Sequence, residues 1–273
     1  MRFGAIIIGD EILSGRRTDR HLSKLIELLG ARGLALSYAH YVGDEPGRIT
    51  DSLRQAFASG DVVFSFGGIG ATPDDHTRQC AARALGVEMA LHPQAAALIR
   101  ERMQDVAREQ GLPYDPERED NIHRLNMGVF PVGVDIIPNP YNKIAGFYCS
   151  ARDEVRERGG IFFLPGFPVM AHPMVEWVLD SHYRHLFYQT AWKEQSVIVF
   201  GAMEAALTPL MESLEQQFAV KVFSLPSVDH PQWGRHIDLG VKGDPAVVDL
   251  AFASLRQSLR DLGLRLGPEM VRS

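Results

Sequence analysis

The segment Gly67 to Thr77, GGIGATPDDHT, concentrates the residue types best suited to chemistry. Gly67, Gly68 and Gly70 leave the backbone bare, so that amides can approach a phosphate or carboxylate. Thr72, Pro73 and Asp75 fit the N-cap, N1 and N3 positions of a following helix. A helix N-terminus attracts phosphate, yet Asp74 and Asp75 at that place would repel it. A divalent cation bridging a carboxylate to phosphate oxygens removes the conflict, and Mg²⁺ prefers one or two carboxylates plus substrate phosphates. Asp10 and Glu11, directly after Gly9, are candidates for further oxygen ligands. A ligand-free reading also accounts for these residues: a tight turn, a well-capped helix and solvated carboxylates.

Lys143, inside PNPYNKIAGF (Pro138 to Phe147), and Arg16 and Arg17 are candidates for phosphate or carboxylate contacts. Each arginine taken singly also fits a solvated surface role. The ten histidines do not cluster at zinc-ligand spacing. Ser14 and Ser65 lack a nucleophile-elbow context, which leaves acyl transfer without support. Cys80 and Cys149 are too few and too far apart for a disulfide framework or a zinc site, so both are expected as buried thiols in a reducing cytoplasm.

These residues need a scaffold, and the first 90 residues predict one by alternating strand and helix. Phe3 to Ile8 is a continuous apolar run ending at Gly9, as expected of a strand buried on both faces. Thr18 opens a helix with Leu22, Leu25, Ile26 and Leu29 on one side, and Gly33 ends it. Leu34 to Val42 reads as a strand, Gly43 to Pro46 as the start of a helix, and Asp61 to Phe66 as a third buried strand. A helix over 73–85 follows the glycines. Short loops between strand and helix imply a parallel sheet with crossovers, and ligands of such sheets bind beyond the carboxyl ends of the strands. Further on, the pattern predicts a helix over 92–110, a short one over 121–127, strands over 134–137 and 161–164, and a helix over 169–183. A β-α-β-β-α order after that predicts a small α+β domain, with the boundary near Tyr188 to Glu194.

Composition narrows the function class. The net charge of −6 over 273 residues excludes a generally basic surface, so bulk electrostatic binding of nucleic acid is not expected. No apolar run is long enough to span a membrane, and the N-terminal run is too short and too acidic to its C-terminal side for a signal peptide. A cytoplasmic location is the expectation.

GDEILSG at Gly9 to Gly15, the glycine segment, PNPYNKIAGF and LPGFP (Leu164 to Pro168), in that order and spacing, resemble the MoaB/Mog-like fold of molybdenum-cofactor proteins. The nearest resemblance is to the N-terminal region of the CinA family, over roughly Phe3 to Val178. It implies an α/β Mog-like three-layer domain over 1–188 with a mostly parallel sheet, then a small KH-like α+β domain over 194–265. It also implies a phosphate-bearing ligand, molybdopterin or a nucleotide, and a homo-oligomer. CinA proteins hydrolyse ADP-ribose with a divalent metal, so the resemblance raises that activity beside a non-catalytic binding role. Many also carry an amidase domain, for which the 273 residues leave no length.

Carried over residue by residue, the ligand site comprises Gly9, Gly67, Gly68, Gly70, Thr72, Thr77, Asn139, Gly146, Pro165 and Gly166. Asp74, Asp75 and Lys143 are the candidate catalytic groups, and Asp10, Glu11, Asp74 and Asp75 the candidate ligands of Mg²⁺ or another divalent cation. Three positions depart from the family pattern. Ala71 and Ala145 replace prolines, and the family's PGVP-x-E-M reads Pro165-Gly166-Phe167-Pro168-Val169-Met170 here, which loses a carboxylate.

Overall fold

A computed structural model describes residues 1–150, 159–189 and 192–272. They form two compact units, Met1–Phe187 and Tyr188–Ser273. Of the expected boundary, 188–194, residues 190 and 191 lie outside the described residues.

The first unit opens with β1 (Phe3–Ile8), a single turn α1 (Asp10–Leu13), α2 (His21–Gly30), β2 (Leu36–Val42), α3 (Pro46–Ser59) and β3 (Val62–Phe66). It continues through α4 (Thr77–Leu85), β4 (Met89–Leu91), α5 (Pro93–Glu109), α6 (Glu119–Leu125) and β5 (Val129–Pro131). It closes with β6 (Asp135–Ile137), β7 (Gly146–Ser150), β8 (Gly160–Leu164) and α7 (Pro168–His182). The main sheet has the order β2-β1-β3-β8-β7-β6. Its first four strands are parallel, while β7 runs antiparallel to both β6 and β8. The sheet is thus mostly parallel, as expected, with β7 the one reversed strand.

The central strands are apolar throughout because both faces are covered. Phe3, Ala5 and Ile7 face a core completed by Leu25 and Leu29 of α2 and by Met174, Val178 and Leu179 of α7. Ile6 and Ile8 face the other core, with Ile49 and Leu53 of α3 and Cys80 and Ala81 of α4. The result is three layers, helix on sheet on helix. Cys80 and Cys149 are buried free thiols.

Two helix starts differ from the sequence pattern. Asp19 rather than Thr18 caps α2, its carboxylate accepting from the His21 and Leu22 amides at 2.8 and 3.2 Å. The helix expected from Pro73 begins only at Thr77. The capping residues form a free-standing turn instead: Asp75 Oδ2 accepts from the Thr72 amide and hydroxyl, and the Asp75 amide donates to the Thr72 carbonyl. The box is closed, but on a turn that ends before the helix begins.

The second unit comprises β9 (Lys193–Phe200), α8 (Glu204–Gln217), β10 (Val220–His230), β11 (Gly234–Gly243), α9 (Pro245–Asp261) and β12 (Arg265–Arg272). Its sheet, β10-β11-β9-β12, packs Val197, Leu239 and Val241 on Leu207, Leu214, Val248 and Leu255 of the two helices. β12 was not predicted, since Gly267 and Pro268 interrupt its apolar pattern. No helix among the described residues is long and apolar enough to cross a membrane.

Candidate functional site

The carboxyl ends of β1, β2, β3 and β8 open onto a cleft of about 620 Å³, within the range of small-molecule sites. One wall is the glycine loop. Gly67 and Gly68 take positive φ values of 97° and 69°. A Cβ on Gly67 would strike the Ile8 carbonyl oxygen, and one on Gly68 the Thr77 hydroxyl, so neither position tolerates a side chain. The Gly67 amide donates to Leu164 and the Thr77 amide to Gly68. Among the described residues, the amides of Gly68, Ile69 and Gly70 have no protein acceptor, which leaves them available to an anion.

The rest of the cleft is acidic. Glu11, Asp44, Asp74 and Asp75 line it, and among the described residues Arg17 is the one lining lysine or arginine. Asp10 and Asp44 hold one another across β1 and β2. The Asp10 amide donates to Asp44 Oδ2 at 2.8 Å, and the Asp44 amide to Asp10 Oδ1 at 3.2 Å. Burial, with the nearby charges of Asp10, Glu11 and Asp74, pushes the Asp44 carboxyl above the usual carboxylate range, although the Asp10 amide opposes this. Among the described residues, no three His, Cys, Asp or Glu side chains close into a metal cluster.

The structure brings together Gly9, Glu11, Gly67, Gly68, Gly70, Thr72, Asp74, Asp75, Asn139, Pro165 and Gly166 around this cleft. Asn139 is buried and works internally: its amide nitrogen donates to Asn142 Oδ1 and the Ile144 carbonyl, and its Oδ1 accepts from the Tyr141 amide. Four of the expected residues lie elsewhere. Asp10 lines an adjoining surface groove. Thr77 is fully buried, its hydroxyl donating to the Gly67 carbonyl at 3.0 Å, so it braces the loop from behind. Gly146 starts β7, where a Cβ would strike the Phe163 carbonyl. Lys143 has its ammonium 2.6 Å from both Glu101 and Asp105 of α5, and these contacts raise its pKa. An α5 carboxylate pair satisfies the charge that phosphate was expected to engage.

Two supports, Arg78 and His21, were not read from the sequence, and Met170 was read only as the loss of a carboxylate. Arg78, the second residue of α4, is buried and donates to the Gly70 and Asn126 carbonyls, tying the glycine loop to the turn after α6. His21 is buried against Phe66, with ring centroids 4.5 Å apart, and its Nε2 lies 3.2 Å from the Gly166 carbonyl. Since a carbonyl only accepts, Nε2 carries the proton, and burial holds the imidazole below its ordinary pKa. Met170 lines the cleft where the family motif has an acid, its sulfur accepting from Asn142 at 3.4 Å. Each of these residues acts through a partner distant in the chain, which spacing does not reveal.

Comparison with known proteins gives a consistent placement. A family model described as "Probable molybdopterin binding domain" matches residues 4–185. A protein of Pyrobaculum arsenaticum is 30% identical over 77% of this chain and 73% of its own length. A CinA-like protein of Syntrophotalea carbinolica is 28% identical over 99% of this chain, which covers 62% of that protein. A CinA-like protein of Citrifermentans bemidjiense is 30% identical, but this chain spans only 47% of its length. In structure, the chain resembles the protein CinA of unknown function from Thermoplasma acidophilum, with a TM-score of 0.54, 25% identity, and coverage of 66% of this chain and 98% of that one. With most of its length matched, the chain belongs to the probable molybdopterin-binding domain family and has the Mog/MoaB-like α/β fold, with CinA-like proteins among its relatives.

Proposed function

We propose that the first unit binds a small phosphate-bearing ligand, a pterin or nucleotide, with a divalent cation between the phosphate and the acidic wall. The observation that carries this reading is the pairing of unsatisfied Gly68, Ile69 and Gly70 amides with the carboxylates of Glu11, Asp44 and Asp74 on the lining of one cleft. The donor set is all oxygen, which suits a hard cation. The raised Asp44 carboxyl marks a place where positive charge would relieve repulsion. Among the described residues no three carboxylates close on one point, so Glu11 and Asp74 would hold the ion, with ligand phosphates completing its shell. Molybdopterin fits this description, and so does ADP-ribose.

Hydrolysis of an ADP-ribose pyrophosphate is the second reading, favoured by the same carboxylate wall. A bound divalent cation supplies charge neutralisation and lowers the pKa of its water. The loop amides take up charge developing on a phosphate oxygen, and Asp44, protonated more readily than an ordinary carboxyl, is suited to hold a proton at Oδ1 or Oδ2. Lys143 has no part in this step, because its ammonium is held by α5.

The test is calorimetric and chromatographic. AMP and ADP-ribose are titrated into the protein with and without Mg²⁺ or Mn²⁺, and AMP formation from ADP-ribose is followed alongside. Saturable, metal-strengthened binding that weakens in Asp74→Asn is the expected result. Absence of binding by folded wild-type protein would overturn the ligand assignment, and binding without AMP formation would remove the hydrolytic reading alone.

A further inference from the structure

Phe167 is unusual among the residues of the cleft. It lines the cleft directly yet leaves 55% of its surface exposed, where the motif this chain resembles carries valine. Its backbone is fixed on both sides. The Gly166 carbonyl is held by His21 Nε2, and the Phe167 carbonyl accepts from the Met170 and Ala171 amides at 3.0 and 2.9 Å. Pro168 follows as the first residue of α7. Gly166 also abuts the glycine loop: a Cβ there would lie 3.6 Å from the Gly67 Cα. The ring therefore rises beside the amides available to phosphate, on backbone that loses little freedom when a ligand arrives.

Arg17 completes the arrangement. Its guanidinium carbon lies 5.8 Å from the Phe167 ring centroid, while its other contacts, the Glu11 carboxylate at 3.7 Å and the Glu11 carbonyl accepting from its amide, keep it at the mouth of the cleft. A planar cation over an aromatic ring gives a stacked pair against which a heterocycle can lie, with a positive charge for the anion it carries.

We propose that Phe167 and Arg17 together read the ligand's ring, so that this cleft selects an anion bearing a planar nitrogen heterocycle over the same anion without one. This rests on the reading of the cleft as a phosphate-ligand site and adds its specificity-determining residue. The ring chemistry is shared by purines and pterins, and the experiment separates them.

Calorimetric titration with AMP, 6-carboxypterin and ribose 5-phosphate, in the presence of Mg²⁺, is compared between the wild type and Phe167→Val. The main-chain angles at Phe167, φ −97° and ψ 117°, are extended and accommodate valine without strain, so the variant is expected to fold. Phe167→Trp serves as the variant that keeps a ring. The expected result is a roughly 10- to 100-fold loss of affinity for the heterocyclic probe in Phe167→Val, the range that base–aromatic stacking supplies, with ribose 5-phosphate unchanged and Phe167→Trp near wild type. Whether AMP, 6-carboxypterin or both show the loss identifies the ring. Equal binding of AMP and 6-carboxypterin by wild type and Phe167→Val overturns the proposal and leaves the phosphate site standing. Wild-type protein that binds none of the three probes overturns both.

Discussion

Arg78 offers the sharpest check on how the glycine loop is held. Its guanidinium is buried and donates from Nη2 to the Gly70 carbonyl at 2.6 Å and from Nη1 to the Asn126 carbonyl, while Nε is buried without a partner. Burial lowers its pKa, and Asp75 opposes that shift. Hydrogen bonds from a charged donor contribute about 1.5–3 kcal/mol each. Arg78→Met keeps most of the volume but leaves both carbonyls without a donor. A groove of about 430 Å³ runs beside Arg78 and admits water to them, which offsets part of the loss. Set against the cost of burying the guanidinium in the wild type, the net destabilisation comes to about 2–3 kcal/mol. For a unit of this size that is a fall of about 4–12 °C in thermal midpoint. Arg78→Lys can reach one carbonyl and should recover about half. Differential scanning fluorimetry measures the stability, and AMP titration measures whether the Gly68 to Gly70 amides remain aligned. A midpoint for Arg78→Met at or above wild type would refute the clamp, since a buried ion can be replaced by apolar volume without loss. A lower midpoint with unchanged AMP affinity would refute its positioning role and leave only a structural one.

Two further outcomes follow from the same scaffold. Gly67→Ala should cost at least about 2 kcal/mol, because it adds a positive-φ penalty to a collision with the Ile8 carbonyl, whereas Gly133→Ala, at φ 86° with open space around it, bears the φ penalty alone; equal losses in urea titrations would show that the close approach of β1 and β3 carries no energy. His21, His172 and His182 are all held below the ordinary histidine value of 6.5, chiefly by burial, so the unfolded chain takes up protons that the native state refuses. Stability is full above pH 6.5 and falls as the pH drops below it. Asp44, with its raised carboxyl, has the opposite sign, but its window starts at the carboxylate value of 3.8 and its effect is single. Midpoints at constant ionic strength should decline between pH 7.5 and 5.5, and a flat or rising curve would contradict neutral burial of these imidazoles.

Much of this architecture was legible because it rests on local pattern. β1 and β3 are runs of apolar residues that stop at glycine, and a strand buried on both faces can hardly read otherwise. The glycine loop was legible for the same reason, since glycine after a strand marks a backbone under close approach. What escaped depended on partners far along the chain. The orientation of Lys143 is decided by Asp105, 38 residues away, and the place of Asp44 by Asp10, 34 residues away. A lysine in a Pro/Gly-rich loop looks free until the helix opposite it is known. β7 was not read at all, because its first residues, Gly146 and Phe147, close the Pro/Gly-rich PNPYNKIAGF segment, which reads as a loop.

The two departures in the loop before α7 bear on which chemistry survives. Where the motif this chain resembles places a carboxylate, Met170 presents a thioether bonded to Asn142. A thioether neither holds Mg²⁺ nor moves a proton, so any acid–base step must be served by Asp44 once Glu11 and Asp74 hold the ion. Three residues earlier in the chain, Phe167 adds an exposed ring to the same loop. One substitution removes a charge from the α7 side of the cleft and the other adds stacking surface there. The two chemistries are therefore segregated, with oxygen ligands after β1, β2 and β3 and apolar contact on the β8–α7 side. That division makes a concrete demand on the hydrolytic reading. If ADP-ribose is cleaved, Asp44→Asn must abolish turnover while leaving AMP binding within a few-fold of wild type, because no carboxylate on the α7 side stands ready to replace it.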